Sequence, residues 1–228
     1  GQAYGYRVAQ YMEQNGIPER SINRFLSRSK YFDYQNILFK FEADFRGVRE
    51  CSTLFQCEST IQVAHAVLAD VGVDPESIGL MEAVAEVLEE KTVSCVGNSA
   101  GRRGFIEDRV FFSRAVIQQS WDRCHAVATL CGLSDSDWAP LAALRGQIED
   151  ASISVALSFV DGSVKPGLQI DLHSVPVPAI YSLFSAESEV QKTALLLGEK
   201  PPMVLDRIEL YLASGKPVRV KTVMRGRG

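Results

Sequence analysis

The sequence predicts an α+β protein. Repeated β-hairpins alternate with helix pairs, which suits a curved antiparallel sheet with the helices outside, closing into a small αββα-type barrel where the sheet curls far enough. Three observations carry this. In residues 36–50, NILFKFEADFRGVRE, Phe39, Phe41, Ala43 and Phe45 alternate with Lys40, Glu42, Asp44 and Arg46, as in a strand with one dry and one wet face. ESTIQVAHAVLADVG and DPESIGLMEAVAEVLEE carry apolar residues at helical spacing, as amphipathic helices do. Hairpin signals then recur roughly every 50–60 residues, a period that points first to a repeated architecture.

In chain order, residues 5–14 and 18–29 read as helices, with Pro18 suited to a first turn. The strand of residues 36–50 turns near Gly47 and returns through RECSTLFQC. The first amphipathic helix shows Ile61, Ala64, Val67, Leu68 and Val71, and ends at Gly72. The second opens with Asp74 as cap and Pro75 in the first turn, with Ile78, Met81, Val84, Ala85 and Leu88 as its apolar face. KTVSCVGN and IEDRVFFSR form a second hairpin around the loop SAGRRG. A helix bearing Val116, Ile117, Trp121, Cys124, Val127 and Leu130 follows, then a shorter one from Asp135 to about Leu144. ASISVALSFVDGSVKPGLQIDLHSV is the third hairpin, with Gly162 and Gly167 in its connection. The segments PAIYSLFS and EVQKTALLLG read as helical, and DRIELYLASGKPVRVKTVMR is a fourth hairpin turning at Ser214-Gly215-Lys216.

The chain has 228 residues, and no Pro-, Gly- or Ser-rich linker interrupts it, so one domain spanning 1–228 is expected. Apolar residues at 46% and charged residues at 23% match a soluble globular protein. The net charge of -4 provides no field for nucleic acid or an anionic membrane, Arg102-Arg103 and the terminal RGRG being local exceptions. With no signal-like start and no apolar run near the ~20 residues of a membrane span, a cytoplasmic protein is expected. The five cysteines lie in apolar segments without CxxC or HExxH spacing, which predicts buried reduced thiols and no metal site. His65 and His125 fall within helical patterns, whereas His173 lies on a strand and is retained as a candidate.

Helices can cover only one face of such a sheet, and it is the apolar one, so the polar strand residues should collect on the other. Strand phase places Lys40, Glu42, Asp44 and Arg46 there, with Arg109 and Phe111 from the second hairpin. The third contributes Ser154, Ser158, Gln169, Asp171 and His173, and the fourth Arg207, Glu209, Tyr211, Arg219, Lys221 and Arg225. Such a face either meets solvent or lines a cavity. As a lining, its guanidinium and ammonium groups suit a polyphosphate, and its aromatic rings suit a developing carbocation.

Three stretches, FKFEADFR, RVFFSRAVIQQSWDRCHAVATLCG and DRIELYLASGKPVRVKTVM, resemble the prenyltransferase-barrel (ABBA) family, and most of all its cyanobactin-type peptide prenyltransferases. The resemblance spans residues 36–225 in element order. It rests on short motifs, among them a glutamate followed four positions later by a basic residue, here Glu42 and Arg46. It implies ionisation of an allylic diphosphate and capture of the cation by an aromatic or peptide acceptor. In that scheme Glu42 is the base taking the acceptor proton. Arg46 would hold the diphosphate, together with Lys40, Arg109, Arg219 and Lys221, which strand phase adds. Phe111 and Tyr211 would shield the cation, and His173 would join the substrate-binding set. No cofactor is required, although Mg²⁺ could accompany the diphosphate.

The family usually has one hairpin more than the four read here. Eight antiparallel strands can still close a barrel; otherwise VRVKTVM is an open edge that would take a partner, such as a second copy of the chain. The alternative reading is a non-catalytic binding or assembly protein that uses the polar sheet face and that free edge strand.

Overall fold

The computed structural model describes residues 2–28, 30–32, 37–44, 47–101, 104, 106–113, 115–148, 151–175 and 203–226. Side-chain placements are described for these except at 2–4, 38–49, 56–58, 115–119, 203–206 and 222–226. The expected segments at 178–185 and 189–198 lie outside the described residues, as does Arg46. The fold is α+β with antiparallel strands, and the chain forms two compact units. The first comprises Gly1–Ser113 with Leu157–Lys165, and the second Arg114–Ala156 with Pro166–Gly228.

In the first unit, α1 (Gln2–Gln14) and α2 (Glu19–Arg28) precede a hairpin of β1 (Ile37–Asp44) and β2 (Gly47–Thr60). Then come α3 (Ile61–Asp70), α4 (Pro75–Leu88) and a second hairpin, β3 (Thr92–Gly101) and β4 (Ile106–Phe112). Both helices of the α3–α4 pair start as the sequence requires. Thr60 caps α3 by accepting from Val63 N, and Asp74 caps α4 by accepting from Ser77 N at 2.7 Å. The second half of β6 (Ser152–Val160) belongs to this unit, with β7 (Ser163–Val164) paired to it through Phe159 and Val164. The strand order is β1-β2-β3-β4-β6. Gly162, between β6 and β7, has φ +93°, and a Cβ there would sit 2.7 Å from the Gly72 carbonyl oxygen. Only glycine allows both the conformation and the approach.

The second unit opens with β5 (Ala115–Val116), α5 (Ile117–Leu130) and α6 (Asp135–Ala142). The first half of β6 then leads into β8 (Leu168–His173), β9 (Met203–Leu212) and β10 (Arg219–Gly226), in the order β6-β8-β9-β10. Ser134 and Asp137 form a reciprocal capping box at α6, and Asp137 Oδ1 also accepts from Gly215 N at 2.9 Å, tying α6 to the β9–β10 turn. Trp138 packs edge-on to Trp121 and stacks on His125, whose Nε2 lies 3.1 Å from Asp135. His125 is thus satisfied structurally, as is His65, 2.7 Å from Glu82.

The apolar strand faces are buried as their alternation predicts. In the second unit Ile153, Leu172 and Ile208 are register neighbours, as are Val155, Ile170 and Leu210, and all are at most 2% exposed. In the first unit Phe55 stacks with Phe25 of α2 and with Phe32, so the helices lie on the Phe55 side of β2. Cys51, Cys95 and Cys124 are buried and reduced, and burial pushes the Cys51 and Cys124 thiols up to about 12.

Three expectations need correction. First, β3 does not stop at Asn98. Ser99 and Ala100 still pair with Ser52 and Cys51 on one side and Glu107 and Ile106 on the other, so SAGRRG is a loop only beyond Gly101. Second, Leu130 is 41% exposed at the end of α5, where the chain turns away before buried Leu133.

The third concerns the helix-covered face of the first unit, which is not purely apolar. Thr53, Asn98 and Asp108 lie there in register, Thr53 Oγ1 donating to Asn98 Oδ1 at 3.1 Å. Asp108 is fully buried and ion-paired to Arg24 and Arg28 of α2. Arg24 also donates to the Val71 carbonyl at the end of α3. A buried carboxylate is tolerable only with such partners. Arg24 and Arg28, one helical turn apart, reach it together.

Candidate polar-face site

The described polar residues of the second unit fall on one sheet face in a regular grid. Across β8, β9 and β10, Gln169, Tyr211 and Arg219 are register neighbours; next come Asp171, Glu209 and Lys221, then His173 and Arg207. On the other side of β8, Ser154 stands opposite Asp171 and Ser152 opposite His173. Period-two alternation puts these on the face opposite Ile170, Leu172, Ile208 and Leu210.

The electrostatics centre on Glu209, which is 4% exposed. Its Oε1 accepts from Arg207 Nε at 3.1 Å and Nη2 at 2.8 Å. Its Oε2 accepts from Tyr211 Oη at 3.1 Å and lies 3.2 Å from Lys221 Nζ. Burial alone would push the carboxyl up; the Arg207 hydrogen bond and the Lys221 and Arg207 charges outweigh it and hold Glu209 below the usual carboxylate range. Asp171, directly opposite, accepts from Gln169 Nε2 at 2.8 Å and lies 3.9 Å from Arg207 Nε. Arg207 therefore serves both carboxylates, whose like charges would otherwise repel across the strand pair. Arg219 lies over the Tyr211 ring at 5.6 Å.

The first unit carries a smaller version. Glu107, 3% exposed, is ion-paired with Arg109 two residues along β4 and lies 3.4 Å from Lys165 Nζ. Burial again pushes this carboxyl up, and Arg109, Lys165 and a hydrogen bond with Ser158 more than reverse it. Ser52 and Ser99 share a hydrogen bond at 2.8 Å on the same face.

Of the expected site residues, His173, Tyr211, Arg219 and Lys221 fall on the polar face of the second unit, and Arg109 and Phe111 on that of the first. Lys40 is in register with Ser52 and Glu42 with Glu50; their side chains lie outside the described ones. Strand phase had located Glu209, Asp171, Arg207 and Gln169 on this face without marking them as site residues. Glu107 and Lys165 were missed. The signal for Glu107 was its place two residues before Arg109, whereas nothing local points to Lys165. An open groove of about 530 Å³ beside α2 is lined by Arg20 and Arg24 together with Glu19 and Asp70, so its charges balance. Among the described residues no helix is long and apolar enough to cross a membrane. Comparison of the chain with protein-family models and with curated proteins finds no match.

Proposed function

We propose that the chain transfers a prenyl group from an allylic diphosphate to an aromatic or peptide acceptor, with the polar face of the second unit taking the diphosphate. The observation that supports this is the grid itself. Among the described side chains of the grid, Arg207, Arg219 and Lys221 stand against Asp171 and Glu209, an excess of one positive charge. The Arg207 and Lys221 side chains are 33% and 47% exposed, so a ligand on that face can reach their N–H groups. Guanidinium and ammonium groups suit phosphate oxygens.

The chemistry follows from charge. The bond between C1 of the prenyl group and the diphosphate oxygen breaks, and its electron pair leaves with the diphosphate. The nearby cations stabilise that growing negative charge. The acceptor attacks the allylic cation and gives up its proton to a general base. Tyr211 offers a ring face to the cation once Arg219 moves onto the diphosphate.

A second reading, a non-catalytic binding or assembly protein, is favoured by one observation. Lys221 and Arg109 already sit against Glu209 and Glu107, as on a self-neutralised face. Calorimetry with the non-ionisable thiolo analogue of dimethylallyl diphosphate separates the two, run with and without Mg²⁺ and against the geranyl compound. Saturable one-site binding, tighter than for inorganic pyrophosphate and weakened in Lys221→Met, is expected. A folded chain that binds neither prenyl compound sinks the proposal. Glu42→Gln should keep binding and lose turnover; wild-type turnover would remove Glu42 as base.

A further inference from the structure

We infer that Glu209 is a positioning residue, whose buried carboxylate holds Arg207, Lys221 and Tyr211 in the arrangement that receives the diphosphate. The inference rests on the function proposed above and adds a role that strand phase and the family resemblance leave unassigned.

Glu209 occupies the centre of the grid. It is flanked along β9 by Arg207 and Tyr211 and across the strands by Asp171 and Lys221. Both of its oxygens are engaged: Oε1 holds the Arg207 fork through two nitrogens, and Oε2 holds Tyr211 Oη and Lys221 Nζ. Arginine and lysine lose substantial rotamer freedom on being ordered. A carboxylate that already fixes their heads removes most of that cost from the binding step. Glu209 is 4% exposed, whereas the Arg207 and Lys221 side chains are 33% and 47% exposed. The carboxylate thus lies beneath the cations, and the ligand meets the cations first. Glu107 repeats the arrangement in the first unit, beneath the more exposed Arg109 and Lys165.

Positioning and simple electrostatics predict opposite signs. If Glu209 were only a negative charge near an anion site, neutralising it would tighten diphosphate binding. If it positions the cations, neutralising it must weaken binding although the face becomes more positive. The test measures the dissociation constant of the thiolo-diphosphate analogue by calorimetry for wild type, Glu209→Gln and Glu209→Asp. Thermal unfolding checks that each variant is folded. Glu209→Gln is expected to bind roughly tenfold or more weakly, the scale of a lost charge-assisted hydrogen bond. Glu209→Asp keeps the charge but is one methylene shorter, and it too should weaken binding. It carries the test alone if the glutamine variant does not fold.

A cycle with Lys221→Met supplies a readout that a purely structural role would not move. The penalty for Lys221→Met should shrink to less than about twofold in the Glu209→Gln background, because contacting residues of one network are non-additive. Equal or tighter binding by Glu209→Gln, unchanged binding by Glu209→Asp, or full additivity in the cycle would each overturn the inference while leaving the proposed function standing. Absence of binding by wild type would overturn both.

Discussion

Replacing Asp108 by Asn removes one negative charge from the helix-covered side of the first unit with almost no change of shape. In the native protein Asp108 Oδ2 lies 3.1 Å from Arg24 Nη1, and Oδ1 faces Arg28. The three side chains are 0%, 9% and 0% exposed respectively. Burial and the neighbouring Arg24 push the Arg28 guanidinium down to about 9, still high enough to keep it charged at neutral pH. The variant would therefore hold two buried guanidinium groups with no carboxylate between them. Breaking a buried ion pair by removing one partner costs about 3–5 kcal/mol. For a chain of this length each kcal/mol shifts Tm by about 2–4 °C, so a fall of about 6–20 °C is expected. Both tryptophans belong to the second unit, so far-UV circular dichroism is the appropriate signal and tryptophan emission is not. A companion variant, Arg24→Met with Arg28→Met and Asp108→Leu, should be far less damaging, because apolar replacement of a whole buried cluster is often neutral. A loss below about 1 kcal/mol in Asp108→Asn would refute the reasoning, since it would mean that water already reaches these charges.

Two further predictions concern the polar faces and one turn. Glu107 and Glu209 have carboxyls held below their ordinary value of 4.5. Their stabilisation is thus complete above that value and is lost as the pH falls through the lower folded-state value, where the unfolded chain binds more protons. Urea midpoints followed from neutral pH into acid should fall for wild type and fall less steeply for Glu209→Gln, in which Glu107 still titrates; parallel curves would show that Glu209 does not contribute. Gly167 has φ +107°, and an added Cβ would collide with the Leu212 carbonyl oxygen, a backbone atom that cannot swing aside. Gly167→Ala should cost more than about 2 kcal/mol of stability, whereas Gly146→Ala, with nothing within 4 Å, should be near neutral; equal effects in chemical denaturation would contradict this.

Where strands alternate strictly, the sequence by itself determined most of the fold. Gln169, Asp171 and His173, or Arg207, Glu209 and Tyr211, can share a face only because side chains in a strand repeat every two residues. The cap at Asp74 was equally local, since a cap is satisfied within its own first turn. Only the tertiary structure decided which charges meet. Nothing in IEDRVFF marks Asp108 as the partner of two arginines in a helix some 84 positions earlier, and nothing near Lys165 marks it as a partner of Glu107. Strand phase placed Lys221 and Arg109 on polar faces, but not against Glu209 and Glu107. The reason is physical. Periodicity and capping are set by backbone geometry over a few residues, whereas charge pairing depends on register and burial, which exist only once distant strands and helices have packed.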